Sequence, residues 1–150
     1  MSEPDPRFPE IEYLIPHRNR MRLIHRIIEA EGDGAVTLAV AGDDWPPAEG
    51  GGISPLVVIE LAAQTAAVAI GAKTLTDDPD ARPGSGWLVG IKSARLPSAP
   101  IPVGARLETR ATVRRSMDAY TEIEGTTSID GQIVGTAVLQ VVREPAEEKR

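Results

Sequence analysis

VVIELAAQTAAVAIG, residues 57–71, is the most hydrophobic run of the chain, and it holds one carboxylate, Glu60, and one amide, Gln64. A helix that is apolar nearly all round is buried on most of its sides. Ser54 and Pro55 stand just ahead of it. Ser54 can cap a free N–H and Pro55 suits a first helical position, so a helix is expected from Pro55 to about Thr74. Residues 55–72 are short for a membrane span and carry two polar groups, which favours a buried soluble helix.

Working outward, residues 42–54 read GDDWPPAEGGGIS. Two prolines and three consecutive glycines forbid regular structure. An irregular loop directly before a buried helix is either a plain connector or a place for a site. Further upstream, AVTLAVA (35–41) alternates as a strand, and Gly32-Asp33-Gly34 is a turn signal. MRLIHRIIEAE (21–31) reads as a strand, with a helix as the alternative. PEIEYLI forms one helical turn that starts at Pro9 and is stopped by Pro16.

Downstream of the helix, TDDPDARPGSG (76–86) is an acidic loop and the rest reads as strand. WLVGIKSARL precedes a Pro-rich turn. In ARLETRATVRR, Leu107, Thr109, Ala111 and Val113 face one way and Arg106, Glu108, Arg110 and Thr112 the other. YTEIEGTTSI and QIVGTAVLQVVR are joined by Asp130-Gly131, a tight-hairpin signal. Two strands, one long apolar helix and four antiparallel strands describe an α+β domain in which a curved antiparallel sheet encloses one central helix. Residues 1–150 are expected to form that one domain, with flexible tails at 1–8 and 144–150. Such a sheet leaves edge strands to be covered, and dimerisation covers them.

Composition narrows the function. Hydrophobic residues make up 41% of the 150 and aromatics 3%, so the core is built from Val, Ile, Leu and Ala. A net charge of −6 gives no electrostatic support for nucleic acid or an anionic membrane as partner. One local basic segment, HRNRMRLIHR (17–26), is either a set of solvated arginines or a docking point for an acidic carrier or a phosphate. The absence of cysteine excludes disulfides, thiol nucleophiles and cysteine-bound metals, and two histidines are too few for a histidine-rich metal site. The N-terminus lacks the form of a signal peptide, and a cytoplasmic protein is expected.

Glu60 and Gln64 are one turn apart on one helix face. Burying an unpaired carboxylate costs several kcal/mol. Glu60 must therefore be paired, protonated, or set where the helix meets a pocket. Partial burial would raise its pKa, as suits a general acid or base. Gln64 is placed to orient Glu60 or a water, or to hydrogen-bond across an interface.

Three stretches, in order, resemble the hot-dog-fold β-hydroxyacyl-ACP dehydratases, and most closely their ApeP-like branch from aryl-polyene-type clusters. They are YLIPHRNRMRLIHRII, GGISPLVVIELAAQTAAVAIG and GWLVGIKSARLPSAPIPVGARLE, spanning roughly residues 13–108. The resemblance implies a hot-dog fold, with a long helix wrapped by an antiparallel sheet, working as a homodimer or a higher assembly of dimers. It implies a substrate thioester carried on the phosphopantetheine of an acyl carrier protein or of CoA, with no other cofactor and no metal. The acyl chain would enter a tunnel at the dimer interface. Glu60 matches the family's helix Glu, which works with a His: the His takes the α proton and the carboxyl side returns one to the departing hydroxyl. Gln64 matches the supporting helix glutamine. Trp45, Gly52, Ile53, Ser54 and Pro55 would line the substrate site, with backbone N–H groups near Ile53 to Val57 turned to the thioester carbonyl.

The chain departs from the family at one point. Aligned on Glu60, the loop that carries the family's catalytic His falls on residues 43–47, DDWPP, which contain no histidine. Only His17, in the Pro-His-Arg motif, and His25, on the first strand, remain. His17 is the candidate to border the pocket and His25 the structural one. Three readings stay open: a dehydratase with Glu60 as its principal carboxyl, a hot-dog thioesterase in which the carboxylate activates water or attacks the thioester, and a non-catalytic acyl-binding or partner subunit. An enoyl thioester, a free acid with a free thiol, or binding without turnover tells them apart.

Overall fold

A computed structural model describes residues 5–83 and 86–143. Its frame is one six-stranded antiparallel sheet around one long helix. The elements in chain order are α1 (Ile11–Leu14), a 3-10 turn (Asn19–Met21), β1 (Arg26–Glu31), β2 (Gly34–Val40), α2 (Val57–Asp77), β3 (Gly86–Arg95), β4 (Arg106–Met117), β5 (Tyr120–Ile129) and β6 (Gln132–Arg143). The strand order is β1-β2-β4-β5-β6-β3. The strands before the helix take one edge and the strand directly after it takes the other, so the chain crosses the whole sheet through α2.

Local chemistry accounts for these elements. β4 alternates as its sequence alternates, with Leu107, Thr109 and Ala111 buried and Arg106, Glu108 and Arg110 exposed. Asp130 and Gly131 both have positive φ, 52° and 78°, as the tightest hairpin turn requires. Asp118, φ 51°, makes the corresponding corner between β4 and β5, which the sequence reading did not single out. Leu61, Leu107, Ile123 and Leu139 are fully buried where α2 meets the sheet. Each such side chain contributes about 1.5–3 kcal/mol relative to exposure. The buried hydroxyls of Thr37 on β2 and Thr65 on α2 bond to each other at 2.8 Å, satisfying two polar groups that water cannot reach.

α2 sits deep because two strands lack side chains beneath it. A Cβ at Gly125 would stand 2.5 Å from the Cβ of Ala62, and one at Gly135 2.8 Å from Cγ1 of Val58. β3 is the contrast to β4. Nearly every residue is exposed, including Trp87, Leu88, Val89 and Ile91, and its pairing with β6 is broken by two register shifts.

Three boundaries differ from the sequence expectation. The helix begins at Val57, two residues after Pro55, because residues 54–59 first make turn-type bonds: Val57 N–H to Ser54 O, Val58 N–H to Pro55 O and Ile59 N–H to Leu56 O. It runs on past Thr74 to Asp77, since no breaker intervenes before Pro79. The first strand starts at Arg26, not at Met21, because Asn19 adopts φ 53° in a 3-10 turn and a helix side chain takes the N–H groups of Leu23 and Ile24. Of the expected flexible tails, residues 5–8 form a turn closed by Phe8 N–H on Asp5 O, and 1–4 and 144–150 lie outside the described residues.

Candidate active site

Glu60 lies in the first turn of α2 and Gln64 one turn later. His17 follows Pro16 on the segment that links α1 to the 3-10 turn. The fold brings the three together. Nε2 of His17 stands 3.2 Å from Oε1 of Glu60, and Nε2 of Gln64 donates to the same oxygen at 2.9 Å. Gln64 is completely buried and saturated. Its second N–H donates to Met21 O at 2.7 Å, and its carbonyl accepts from the N–H of Leu23 (2.9 Å) and Ile24 (3.4 Å). A single amide thereby stitches the arginine-rich segment to the helix and aims the carboxylate. Sequence spacing gave the Glu60–Gln64 pair; the backbone partners of Gln64, some forty residues away, had no sequence signal.

Electrostatics oppose one expectation. Burial does push the Glu60 carboxyl up, but the hydrogen bond from His17 outweighs it and the bond from Gln64 adds to that, so its pKa lies below the ordinary 4.5. At neutral pH Glu60 is a carboxylate. Nε2 of His17 is then the donor to Oε1, and Nδ1 is buried and without a partner among the described residues. Oε1 of Glu60 is occupied twice while Oε2 makes no hydrogen bond among the described residues.

His17 and Glu60 open onto a cleft of about 180 Å³. Glu60, Ala63, Ala67, Ile70 and Thr74 line its floor, and Leu88 and Val141 one wall. Those floor residues repeat every three or four positions, and each is half-exposed on a helix whose middle is largely buried. From Glu60 to Thr74 the helix rises about 21 Å at ~1.5 Å per residue.

The other expected site residues sit elsewhere. Trp45, Gly52, Ile53, Ser54 and Pro55 gather beyond the N-terminal end of α2, whereas the cleft runs from Glu60 toward its C-terminal end. Trp45 and Ile53 are core residues, and Ile53 bridges Pro47 and Ile101. Gly52, φ 77°, packs so close to Pro100 that a Cβ would approach it to 2.9 Å. The backbone N–H groups expected to face a thioester carbonyl are already used: Ile53 donates to Ile101 O, Ser54 to Pro46 O, Leu56 to Oγ of Ser54, and Val57 to Ser54 O. They are engaged because the turn that precedes α2 is built from them.

The basic segment also divides. Arg18 donates to the backbone carbonyls of Glu12, Ile15 and His17 at 2.6–2.9 Å, and Arg22 donates to Ile24 O and approaches Glu12. Arg20 and Arg26 remain exposed. His25 borders a different hollow, of about 240 Å³, lined mainly by polar groups including Asp5, Glu12, Arg22 and Arg26. Its Nδ1 accepts from Val40 N–H at 3.1 Å. Among the described residues no group of His, Cys, Asp and Glu is placed to hold a metal ion.

Comparison with known proteins bears on the family and the fold. A family model described as ApeP-like, ApeP dehydratase, matches residues 9–150. No curated protein sequence matches the chain. Among solved structures, the dehydratase heterocomplex ApeI:P from Xenorhabdus doucetiae superposes with a TM-score of 0.80 at 19% identity, over 94% of this chain and 95% of that one. The E. coli PaaI protein from the phenylacetic acid degradation operon gives 0.62 at 14% identity, over 78% and 81%. A hypothetical thioesterase protein from Streptococcus pneumoniae TIGR4, with coenzyme A, gives 0.62 at 10% identity, over 79% and 84%. At these identities the structures speak to the shared hot-dog fold.

Proposed function

The chain belongs to the ApeP-like dehydratase family, and from that premise we propose that it dehydrates 3-hydroxyacyl thioesters with Glu60 and His17 as its acid–base pair. The observation that carries the reading is the 3.2 Å contact between His17 and Glu60 at one end of an acyl-sized apolar cleft. Glu60, ionised and with Oε2 free of the His17 and Gln64 bonds, takes the α proton. The electrons of the Cα–H bond form the new double bond as the Cβ–O bond breaks. His17 acts as the imidazolium of an ion pair with Glu60: the proton on its Nε2 goes to the departing hydroxide, which leaves as water, and the ring is left neutral. His17 is replenished from Glu60, so the proton taken equals the proton delivered and the pair returns to its starting state. The helix carboxylate thus takes the α proton that the family pattern assigns to a loop histidine, and the histidine supplies the leaving group.

The acyl chain is seated along the cleft floor, past Ala63 and Ala67 toward Thr74. About 21 Å of helix matches roughly seventeen bonds of an extended chain at ~1.2 Å per bond, so a chain of about a dozen carbons fits within it. The thioester is carried on the phosphopantetheine of an acyl carrier protein or of CoA, and Arg20 and Arg26 are the cations open to an acidic carrier. The working unit is a dimer, or an assembly of dimers, joined along β3. The exposed apolar edge supports this, as does the position of Leu88 on both β3 and the cleft wall: a strand laid along β3 would close the cleft. The partner is a second copy or a different chain, and the similar ApeI:P structure is a heterocomplex.

Mass spectrometry of wild type and Glu60→Gln with 3-hydroxyacyl and acyl thioesters, on carrier protein and on CoA, tests the reaction. Loss of water by wild type alone is expected. Release of free thiol would replace the proposal with a thioesterase, a reading favoured by the same free carboxylate oxygen, which is placed to activate water. Binding without turnover would leave an acyl-binding partner subunit.

A further inference from the structure

We infer that Arg18 is the positioning residue of the His17–Glu60 pair, because its guanidinium, folded back on three backbone carbonyls, fixes the turn that carries the imidazole. The need for such a clamp comes from Pro16. In a continuing helix the carbonyl of Glu12 would accept from the N–H of residue 16, and proline has none. Arg18 supplies the missing donor, NH2 to Glu12 O at 2.6 Å. Its NH1 bonds Ile15 O at 2.7 Å and His17 O at 2.9 Å. One planar fork therefore joins the end of α1, the residue before Pro16 and the backbone of His17 itself. Gln64 anchors the same segment on the far side, at Met21, Leu23 and Ile24. His17 hangs between these two anchors, facing Glu60.

Charge is not what Arg18 contributes. Its contact with the Glu12 carboxylate is 4.0 Å long and about half-exposed, the kind of ion pair worth little. The three bonded donors of Arg18 are committed to backbone carbonyls, although about half of the side chain is exposed. The fork geometry is the point. A lysine keeps the charge but presents its donors from a single nitrogen, which does not span three diverging carbonyls.

The inference rests on the dehydratase reading only for its kinetic arm. Carboxyl NMR titration of Glu60, together with turnover of a 3-hydroxyacyl thioester, is measured in wild type, Arg18→Gln, Arg18→Lys and the exposed control Arg115→Gln. With Arg18→Gln, His17 drifts from Glu60, burial is no longer outweighed, and Glu60 titrates at a higher pH than in wild type. kcat falls about ten- to a hundredfold with KM nearly unchanged. Arg18→Lys fails to restore either quantity, and Arg115→Gln matches wild type. Wild-type titration and kcat in Arg18→Gln overturn the inference, and so does rescue by Arg18→Lys. Hydrogen exchange of the guanidinium groups in wild type needs no variant to fold: Arg18 exchanges more slowly than Arg115, and equal rates overturn the inference. A protein that turns nothing over yet shows the Glu60 shift loses the reaction and keeps the clamp.

Discussion

His17 and His25 are eight residues apart on the same basic segment, and the fold gives them opposite employments. His17 stands against an ionised carboxylate at the end of an apolar cleft. His25 lies at the start of β1, where its backbone N–H donates to Leu38 O and its ring accepts from Val40 N–H. It finishes a sheet edge. Desolvation, then Arg22, lowers its pKa from 6.5, against a smaller opposing effect from Asp44, and keeps it neutral. The lesson lies in the partners. A histidine whose ring bonds are spent on backbone is structural, and one whose ring meets a carboxylate in a cavity has a proton to trade.

The sharpest way to break this comparison is to make the same change at each. His17→Gln and Glu60→Gln are each expected to lower kcat/KM for dehydration by about 10²–10⁴, whereas His25→Gln stays within about threefold of wild type. Equal losses at the two histidines in steady-state assays would erase the distinction. A smaller effect comes from the cleft beside His17. Ala67→Phe fills its floor, so turnover of a twelve-carbon substrate should fall about tenfold relative to a four-carbon one; an unchanged ratio would move the acyl chain out of the cleft.

Acidity separates the two further. The ionised form of Glu60 is the active one, and its pKa is lowered, so the acid limb of the kcat/KM profile should lie below the ordinary carboxylate value of 4.5. In His17→Gln the remaining activity should lose that limb at a higher pH. The smallest effects are on stability. His25 has a folded pKa below its unfolded 6.5, so the unfolded chain binds more protons and stability falls as pH drops from 6.5 toward the folded value. Glu60 likewise contributes stability above 4.5 that is lost as pH falls through its lowered value. Denaturant titrations should therefore show His25→Gln flattening the upper window and Glu60→Gln the lower one.

Much of the fold was legible because its signals are local. The alternation of β4, the Asp130-Gly131 turn and the all-round apolar helix each act over a few residues. Glu60 and Gln64 were legible as a pair for the same reason. The direction of the cleft was not. A helix apolar on every side has no preferred face in its sequence, and which face stays open depends on where six strands wrap it. The irregular loop around Trp45 and Gly52 is the more conspicuous feature of the sequence, and in the fold its Trp45 and Ile53 are buried in the core. The clamp by Arg18 was equally silent, since an arginine in a basic run reads as surface charge until its donors are traced.

Gly125 and Gly135 lie beneath Ala62 and Val58 and let α2 settle onto the sheet. They act as the shim that sets its clearance. A methyl group at Gly125 would have to lift the helix off the sheet, and the cleft, bounded by that helix and by Leu88 and Val141 of the sheet, would change width with it. The bore of this channel is therefore adjustable from beneath the helix, at residues no substrate touches, and a search for variants with altered chain preference belongs at those glycines as much as on the lining.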